Sequence, residues 1–543
     1  MYINYCLFKF KLIKMQRKNF FDLIAYQKSF HDNIHNNSLS LRKTSIFNKI
    51  MSQRLTNTSL LKNSGENNNY YEIILSEKEQ KHIIFSQSYQ NENYLQILLE
   101  SINQNKNITV VSINIVLSSF NDKSNTNENT REITNFILAL YNKGILSTLF
   151  NMIINHLYYN DFCFINETLV MFINITYYFS LLSANQICLI TENIFLLNQI
   201  NNLCEIYLTN KNNFPLQIKA IILQFITQIC YLNKKIQQSI LNNNLFVLSI
   251  FDIDTSNEDF YINSLRLFCA LIYNTTTCNC TLYKNIFNVF AFFLNGKYVL
   301  ICVQGLLSLS ENKQFLSECY RKFLNVSLLK NLFLIHNNIL VCEIIYNLLI
   351  LDKEEIDEFL IENDLLVFLK ENMKHEKIIL SVLKCVQLLT ISPISDIQRL
   401  FNKSYNGKSI MNVIIHYMKD IFDYVNNNHL SKVILLQIVN NCLHYQDNDL
   451  LNLFIECLNE INFDFTCVLE NTLLSSQKTK DIIILIFEII YNIINVKQNK
   501  ILSTKISHSN ILDIILNIIT QNQKIINNEV ELIGKTIIKK LTI

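Results

Sequence analysis

An apolar helical unit that recurs along the chain is the feature that most limits what this sequence can fold into. The stretch "ILQFITQICYLNKKIQQSILNNNL" from Ile222 and the stretch "IYNLLILDKEEIDEFLIENDLL" from Ile345 share one frame. Each has an apolar helix, a Lys-bearing corner, a second shorter helix and an Asn-rich tail. "VQGLLSLSENKQFLSECY" from Val303 fits the same frame with more slippage. From Tyr94 onward apolar residues return at three- and four-residue steps, which is helical periodicity. Successive units lie about forty residues apart, stretching to about fifty where polar corners lengthen. A unit of this kind has an apolar face that only its neighbour can bury, so the units must stack into an α-solenoid.

Composition agrees. With 6 Gly and 2 Pro in 543 residues, the chain lacks the turn-formers of a Gly-rich β architecture or a doubly wound sheet. One compact core is not expected to grow to this length, whereas an elongated array can. Asn makes up roughly one residue in seven and fills corners that Gly and Pro usually supply. The balance of 47 basic against 45 acidic residues argues against a generic nucleic-acid binder. Fifteen Cys at irregular spacing fit a reducing compartment, where buried thiols act as small hydrophobes. The opening "MYINYCLFKFKLIK" is too short and too broken by Lys to span a bilayer, and Met15 is an alternative start. The apolar run "IIILIFEIIYNIINV" from Ile482 is interrupted by Glu488 and Asn492 and reads as a buried helix.

Motifs of chemistry are weak. Cys278-Asn279-Cys280 has no second pair at the spacing that a structural zinc site needs. Asn406-Gly407-Lys408-Ser409 ends like a phosphate loop, but position 402, where the motif needs Gly, is Asn402. The ten His offer no frame for a nucleophile and base. The expectation is no enzyme, no metal and no cofactor.

The front of the chain differs. "SLSLRKTSIFNKIMSQRL", Ser38 to Leu55, is basic and helix-permissive. Polar, poorly patterned residues from Thr56 to about Asn93 follow it, as in a flexible linker. The expected organisation is an extension at 1–14, a basic helical segment at 15–57, a linker at 58–93 and a solenoid at 94–543.

The repeats, at the ~40–47-residue period of armadillo or HEAT units, resemble the importin α family. Its armadillo repeats carry a pattern like W-A-L-x-N-I-A on their long helix. "VMFINIT" puts Val170 and Asn174 at the Trp and Asn positions; "QFITQIC" puts Gln224 and Gln228 there. "ALIYNTT" gives Ala270 and Asn274, "EIIYNLL" Glu343 and Asn347, and "KCVQLLT" Lys384 and Leu388. "QIVNNCL" gives Gln437 and Asn441, and "EIIYNII" Glu488 and Asn492. The end from Ser507 to Leu541 resembles the family's final repeat. At the front, "RKNF" supplies Arg17, Lys18 and Phe20, and "SLRK" supplies Leu41, Arg42 and Lys43. Lys49 and Arg54 fall near the family's final basic cluster, which here has become Ser52-Gln53-Arg54.

The resemblance implies a right-handed solenoid of about ten armadillo repeats behind an importin-β-binding segment. It implies a nuclear import adaptor, moving between cytoplasm and nucleus, with Ran-dependent release of cargo by importin β. Cargo proteins with nuclear localisation signals would lie in a concave groove lined by Asn174, Gln224, Gln228, Asn274, Glu343, Asn347, Gln437, Asn441, Glu488 and Asn492. Importin β would meet Arg17, Lys18, Phe20, Leu41, Arg42, Lys43, Lys49 and Arg54. Neither nucleic acid nor membrane is an expected partner. Recycling by the export receptor stays open, because the chain stops after its last repeat without the family's acidic tail. The chain has no Trp, so the family's flat slots for Lys and Arg stems are missing and basic import signals should bind poorly. The alternative is an armadillo scaffold outside transport.

Overall fold

The structure is a computed structural model; its described residues are 109, 110, 113, 114, 117 and then 127–541 with interruptions, the longest at 391–409. The proposed importin-β-binding residues and the linker lie outside them, as do Cys278 and residues 406–409. Two compact units are present, Met1–Leu196 and Leu197–Ile543. Among the described residues every regular element is helical.

The first unit contains α1 (Asn127–Asn142), α2 (Ile145–Tyr158), α3 (Phe162–Tyr178) and α4 (Ala184–Ile194). Gly144 turns the chain between α1 and α2 at φ +72, a left-handed conformation that suits Gly. Phe150, Phe172 and Phe195, all fully buried, meet edge to face at 5.1–5.8 Å and fill the centre of this unit.

The second unit begins with α5 (Leu197–Thr209) and a long helix, α6 (Leu216–Leu232). Groups of two or three helices follow. The first is α7 (Lys234–Asn242), α8 (Asn244–Ile250) and α9 (Glu258–Ile272); the next is α10 (Cys280–Phe293) and α11 (Val299–Glu311). Then come α12 (Lys313–Cys319), α13 (Val326–Phe333) and α14 (Ile339–Leu349), and after them α15 (Glu354–Glu362), α16 (Leu365–Asn372) and α17 (Ile379–Leu389). The described part of the next group is α18 (Ile410–Asp423) and α19 (His429–His444). The last two groups are α20 (Asn448–Glu460), α21 (Phe465–Ser475) and α22 (Lys480–Asn495), and α23 (Lys500–Ser507), α24 (Ile511–Gln521) and α25 (Asn528–Leu541).

The last helix of each group packs on the last helix of the next, so α6, α9, α11, α14, α17, α19, α22 and α25 form a continuous ladder. They begin at residues 216, 258, 299, 339, 379, 429, 480 and 528, in steps of 40–42 residues and then 48–51. That is the period read from the sequence. The fold of this unit is an all-α solenoid.

Asparagine sets where many of these helices start. The side chains of Asn233, Asn243, Asn257, Asn279, Asn312, Asn325 and Asn338 accept backbone N–H groups of the helices that follow them. An N-cap satisfies donors that the helix itself leaves unpaired. At Asn233, Asn243 and Asn312 the same residue ends one helix and starts the next, giving a corner without Gly or Pro.

The ladder is sealed by apolar side chains and a column of thiols. Cys230, Cys269, Cys302, Cys342, Cys385 and Cys442 sit one on each of six successive ladder helices, and all are buried. The Cys269 thiol donates to the Ile301 carbonyl and the Cys385 thiol to the Cys342 carbonyl, both at 3.4 Å. A small, weakly polar side chain lets neighbouring helices approach there. Buried helix ends are also satisfied across groups. Gln237 on α7 is buried and donates to the carbonyls of Ala270 and Tyr273 at 2.7 Å and of Leu271 at 3.3 Å, closing the end of α9. The run from Ile482 is α22, with Ile482, Ile483, Ile486, Phe487, Ile489, Ile490 and Ile493 in the core. Among the described residues no single helix is long and apolar enough to cross a membrane.

Candidate functional site

Each ladder helix has one strip that its neighbours leave partly exposed, and these strips form a face along the second unit. On α6 the strip holds Gln224 and Gln228, and on α14 Glu343 and Asn347. On α17 it holds Lys384 and Leu388, on α19 Gln437 and Asn441, and on α22 Glu488 and Asn492. Four-residue spacing places both members of each pair on one side of their helix. All ten side chains are half-buried. Asn174 and the exposed Val170 hold the same relation on α3, within the first unit.

The frame Ala270–Asn274 does not join this face. Ala270 is fully buried, and Asn274 lies beyond the end of α9 at φ +51, exposed, in a left-handed conformation that Asn tolerates. The partly exposed positions of α9 are Ile262 and Arg266 instead. The local "IYN" spelling matches the other frames, but α9 ends two residues before that Asn, and Gln237 from α7 closes it there. On α11, where no Trp–Asn frame falls, the strip shows Leu300, Gln304 and Glu311.

Most polar groups on the later half of the face are bonded sideways, from one ladder helix to the next. Asn347 Nδ2 donates to Ser310 Oγ at 2.9 Å, joining α14 to α11. Ser381 Oγ donates to Glu343 Oε1 at 2.7 Å, joining α17 to α14. The amides of Gln387 and Gln437 pair, and Asn441 Nδ2 donates to Thr390 Oγ1 at 3.0 Å beside them. Asn440 Nδ2 donates to Glu488 Oε2 at 2.9 Å and its Oδ1 accepts from Asn492 Nδ2 at 3.0 Å. The bonds run unbroken from α11 to α22. The expected groove amides therefore hold neighbouring repeats together, and a peptide backbone would compete with those bonds for them.

Aromatic rings are present on the face, three residues after the position where the family pattern would place them. Glu343-Ile344-Ile345-Tyr346-Asn347 on α14 recurs letter for letter as Glu488-Ile489-Ile490-Tyr491-Asn492 on α22. Lys384 Nζ, from α17, lies 5.6 Å from the centre of the Tyr346 ring, and Lys540 Nζ, from α25, lies 5.1 Å from that of Tyr491. Burial, then the Glu343 carboxylate and Cys385, push the Tyr346 phenol well above its ordinary pKa, so it stays neutral. Tyr231 on α6 and Tyr273, just past the end of α9, meet edge to face at 5.6 Å. The repeated pentapeptide is the sequence signal that marks Tyr346 and Tyr491.

Elsewhere the chemistry is sparse. An open cavity of about 790 Å³ beside α21 and α23 is lined by Asp464, Thr466, Cys467, Glu470, Thr504, Lys505, His508 and Ser509. Asp464 starts α21 by accepting the N–H groups of Thr466 and Cys467. Burial pushes its pKa up, but the Thr466 hydroxyl, those N–H groups and Lys505 together hold it below its ordinary value. Cys280 opens α10, and its thiol donates to Glu318 at 2.8 Å. Among the described residues no group of three or more His, Cys, Asp or Glu side chains could hold a metal ion.

Neither a family model nor a curated protein matches this chain. Solved structures do. The crystal structure of an engineered protein superposes with a TM-score of 0.59 at 9% identity, over 83% of this chain and 99% of the other. A chain from work on a conserved phosphorylation switch controlling the interaction between cadherin and beta-catenin has a TM-score of 0.41 at 10% identity, over 85% of this chain and 98% of that one. At such identities the likeness to the engineered protein is one of fold alone.

Proposed function

We propose that this chain is a divergent nuclear import adaptor of the importin α type. In this reading the ladder face carries cargo, the basic segment at 15–57 engages importin β, and the protein moves between cytoplasm and nucleus without chemistry of its own. The observation that carries the reading is the register of the family-like pairs. Gln224/Gln228 fall on α6, and Glu343/Asn347, Lys384/Leu388, Gln437/Asn441 and Glu488/Asn492 fall on the four successive ladder helices α14, α17, α19 and α22, each pair on one half-buried strip.

The test is capture of importin β by the full chain, compared with the Arg42→Ala, Lys43→Ala double variant. Capture should weaken in the variant and fall as salt rises, because charge-assisted contacts contribute roughly 1.5–3 kcal/mol each when well placed and are screened when exposed. Equal capture by both chains, or none by either, removes the transport reading. The second reading is an armadillo scaffold outside transport, and the sideways bonding of Asn347, Gln437, Asn441 and Asn492 favours it. Those amides are already committed within the solenoid.

A further inference from the structure

We propose that the Glu-Ile-Ile-Tyr-Asn element of α14 and α22 is a receptor for a lysine ammonium, and that the chain fills both copies with its own Lys384 and Lys540. The inference rests on the reading of the ladder face as a cargo surface, and it names the residues that decide which cargo that surface accepts.

The two copies are alike in sequence and in having a lysine of the next ladder helix over the Tyr ring. In each, a Tyr ring is flanked by a Glu three residues before it and an Asn one residue after it. In each, the next ladder helix supplies a Lys whose ammonium lies 5.6 or 5.1 Å from the ring centre. A ring face attracts a cation through its quadrupole, and a nearby carboxylate strengthens the attraction. At the first copy Glu343 accepts from Ser381 Oγ at 2.7 Å, on α17, the same helix that carries Lys384. At the second, Glu488 accepts from Asn440, and Asn492 sits beside it on the same Asn440.

Such a site holds one ammonium. A second cation would meet the first across a ring it already covers, so an incoming lysine must displace the resident one. The apparent affinity of a lysine-bearing segment is then lowered by the fraction of sites that stand open. Lys384 and Lys540 are thus specificity-determining residues: they make the face select against lysine-rich segments, and each does so by occupying an aromatic slot as well as by repulsion.

The experiment is fluorescence anisotropy of a labelled lysine-rich peptide against the full chain. The Lys384→Ala, Lys540→Ala double variant should bind it about tenfold more tightly than the parent, the order expected when cation–ring contacts become available. Adding Tyr346→Leu and Tyr491→Leu should abolish that gain, and Lys384→Arg with Lys540→Arg should keep parental affinity. Lys535→Ala with Lys539→Ala removes the same charge from exposed positions of α25 and should leave binding unchanged. Should the alanine pair lower helicity, Lys384→Gln with Lys540→Gln carries the same expectation. An alanine or glutamine pair that binds no more tightly, or a gain that survives loss of both rings, overturns the inference. Importin-β capture is read separately: a gain in peptide binding without capture keeps the inference and removes the transport reading.

Discussion

Asparagine has two roles in the second unit, and its position in the helix decides between them. At a helix start its side chain accepts backbone N–H groups, as at Asn233, which takes those of Lys235 and Ile236. Within a ladder helix the same side chain donates to the neighbouring helix, as at Asn347. Asn233→Ala should therefore cost about 1 kcal/mol through the lost cap. Gln237→Ala should cost about 1–3 kcal/mol, because it leaves the buried carbonyls at the end of α9 without their donor. Repeat arrays unfold piecewise, so the readout is hydrogen exchange in α7 and α9, which should speed up in both variants. Gly305 is a third sensitive residue. A Cβ there would sit 2.2 Å from Phe290 Cε2, so Gly305→Ala should force α11 away from α10 and lower the melting temperature, at a cost of roughly 1–3 kcal/mol.

At the scale of elements, the thiol column shows how the ladder closes. Burial, with the Glu343 carboxylate adding, pushes the Cys342 thiol up to about 12, and burial alone drives the similar rise at Cys302 and Cys442. The thiolate is the reacting species, so these residues should be inert near neutral pH. Cys467, exposed on α21, should take up a thiol reagent at once in the native protein. Cys302, Cys342 and Cys442 should react only when denaturant opens the ladder, and peptide mapping by mass spectrometry reads the order. Labelling of Cys342 as fast as Cys467 would show that α14 does not pack between α11 and α17 as described.

For the whole molecule, the far-ultraviolet circular dichroism of the protein should be dominated by helix, since every regular element among the described residues is helical. The native face should bind lysine-rich import peptides at micromolar affinity or weaker. The chain has no Trp, Ala270 and Asn274 are off the face, and Lys384 and Lys540 already cover two of its rings. Nanomolar binding by the parent chain would contradict both the bonded amides and the covered rings.

Periodicity and composition by themselves determined that this chain is helical and built from stacked units, because each helix carries its own apolar stripe and each unit its own period. The frames drawn from the family resemblance put Gln224, Glu343, Lys384, Gln437 and Glu488 on half-buried strips of their helices together with their partners four residues on, since four-residue spacing is a local property of a helix. Tertiary structure decided the rest. Whether "IYN" continues a helix, as at Tyr346-Asn347, or ends one, as at Tyr273-Asn274, depends on a glutamine from another helix. Whether a face amide waits for a ligand or bonds its neighbour depends on which side chain the next unit brings alongside, some 37 residues away for Asn347 and 51 for Asn441. The lysines over Tyr346 and Tyr491 are of the same kind, supplied by the following ladder helix. A local pattern does not encode contacts between units, because they arise only when the units stack.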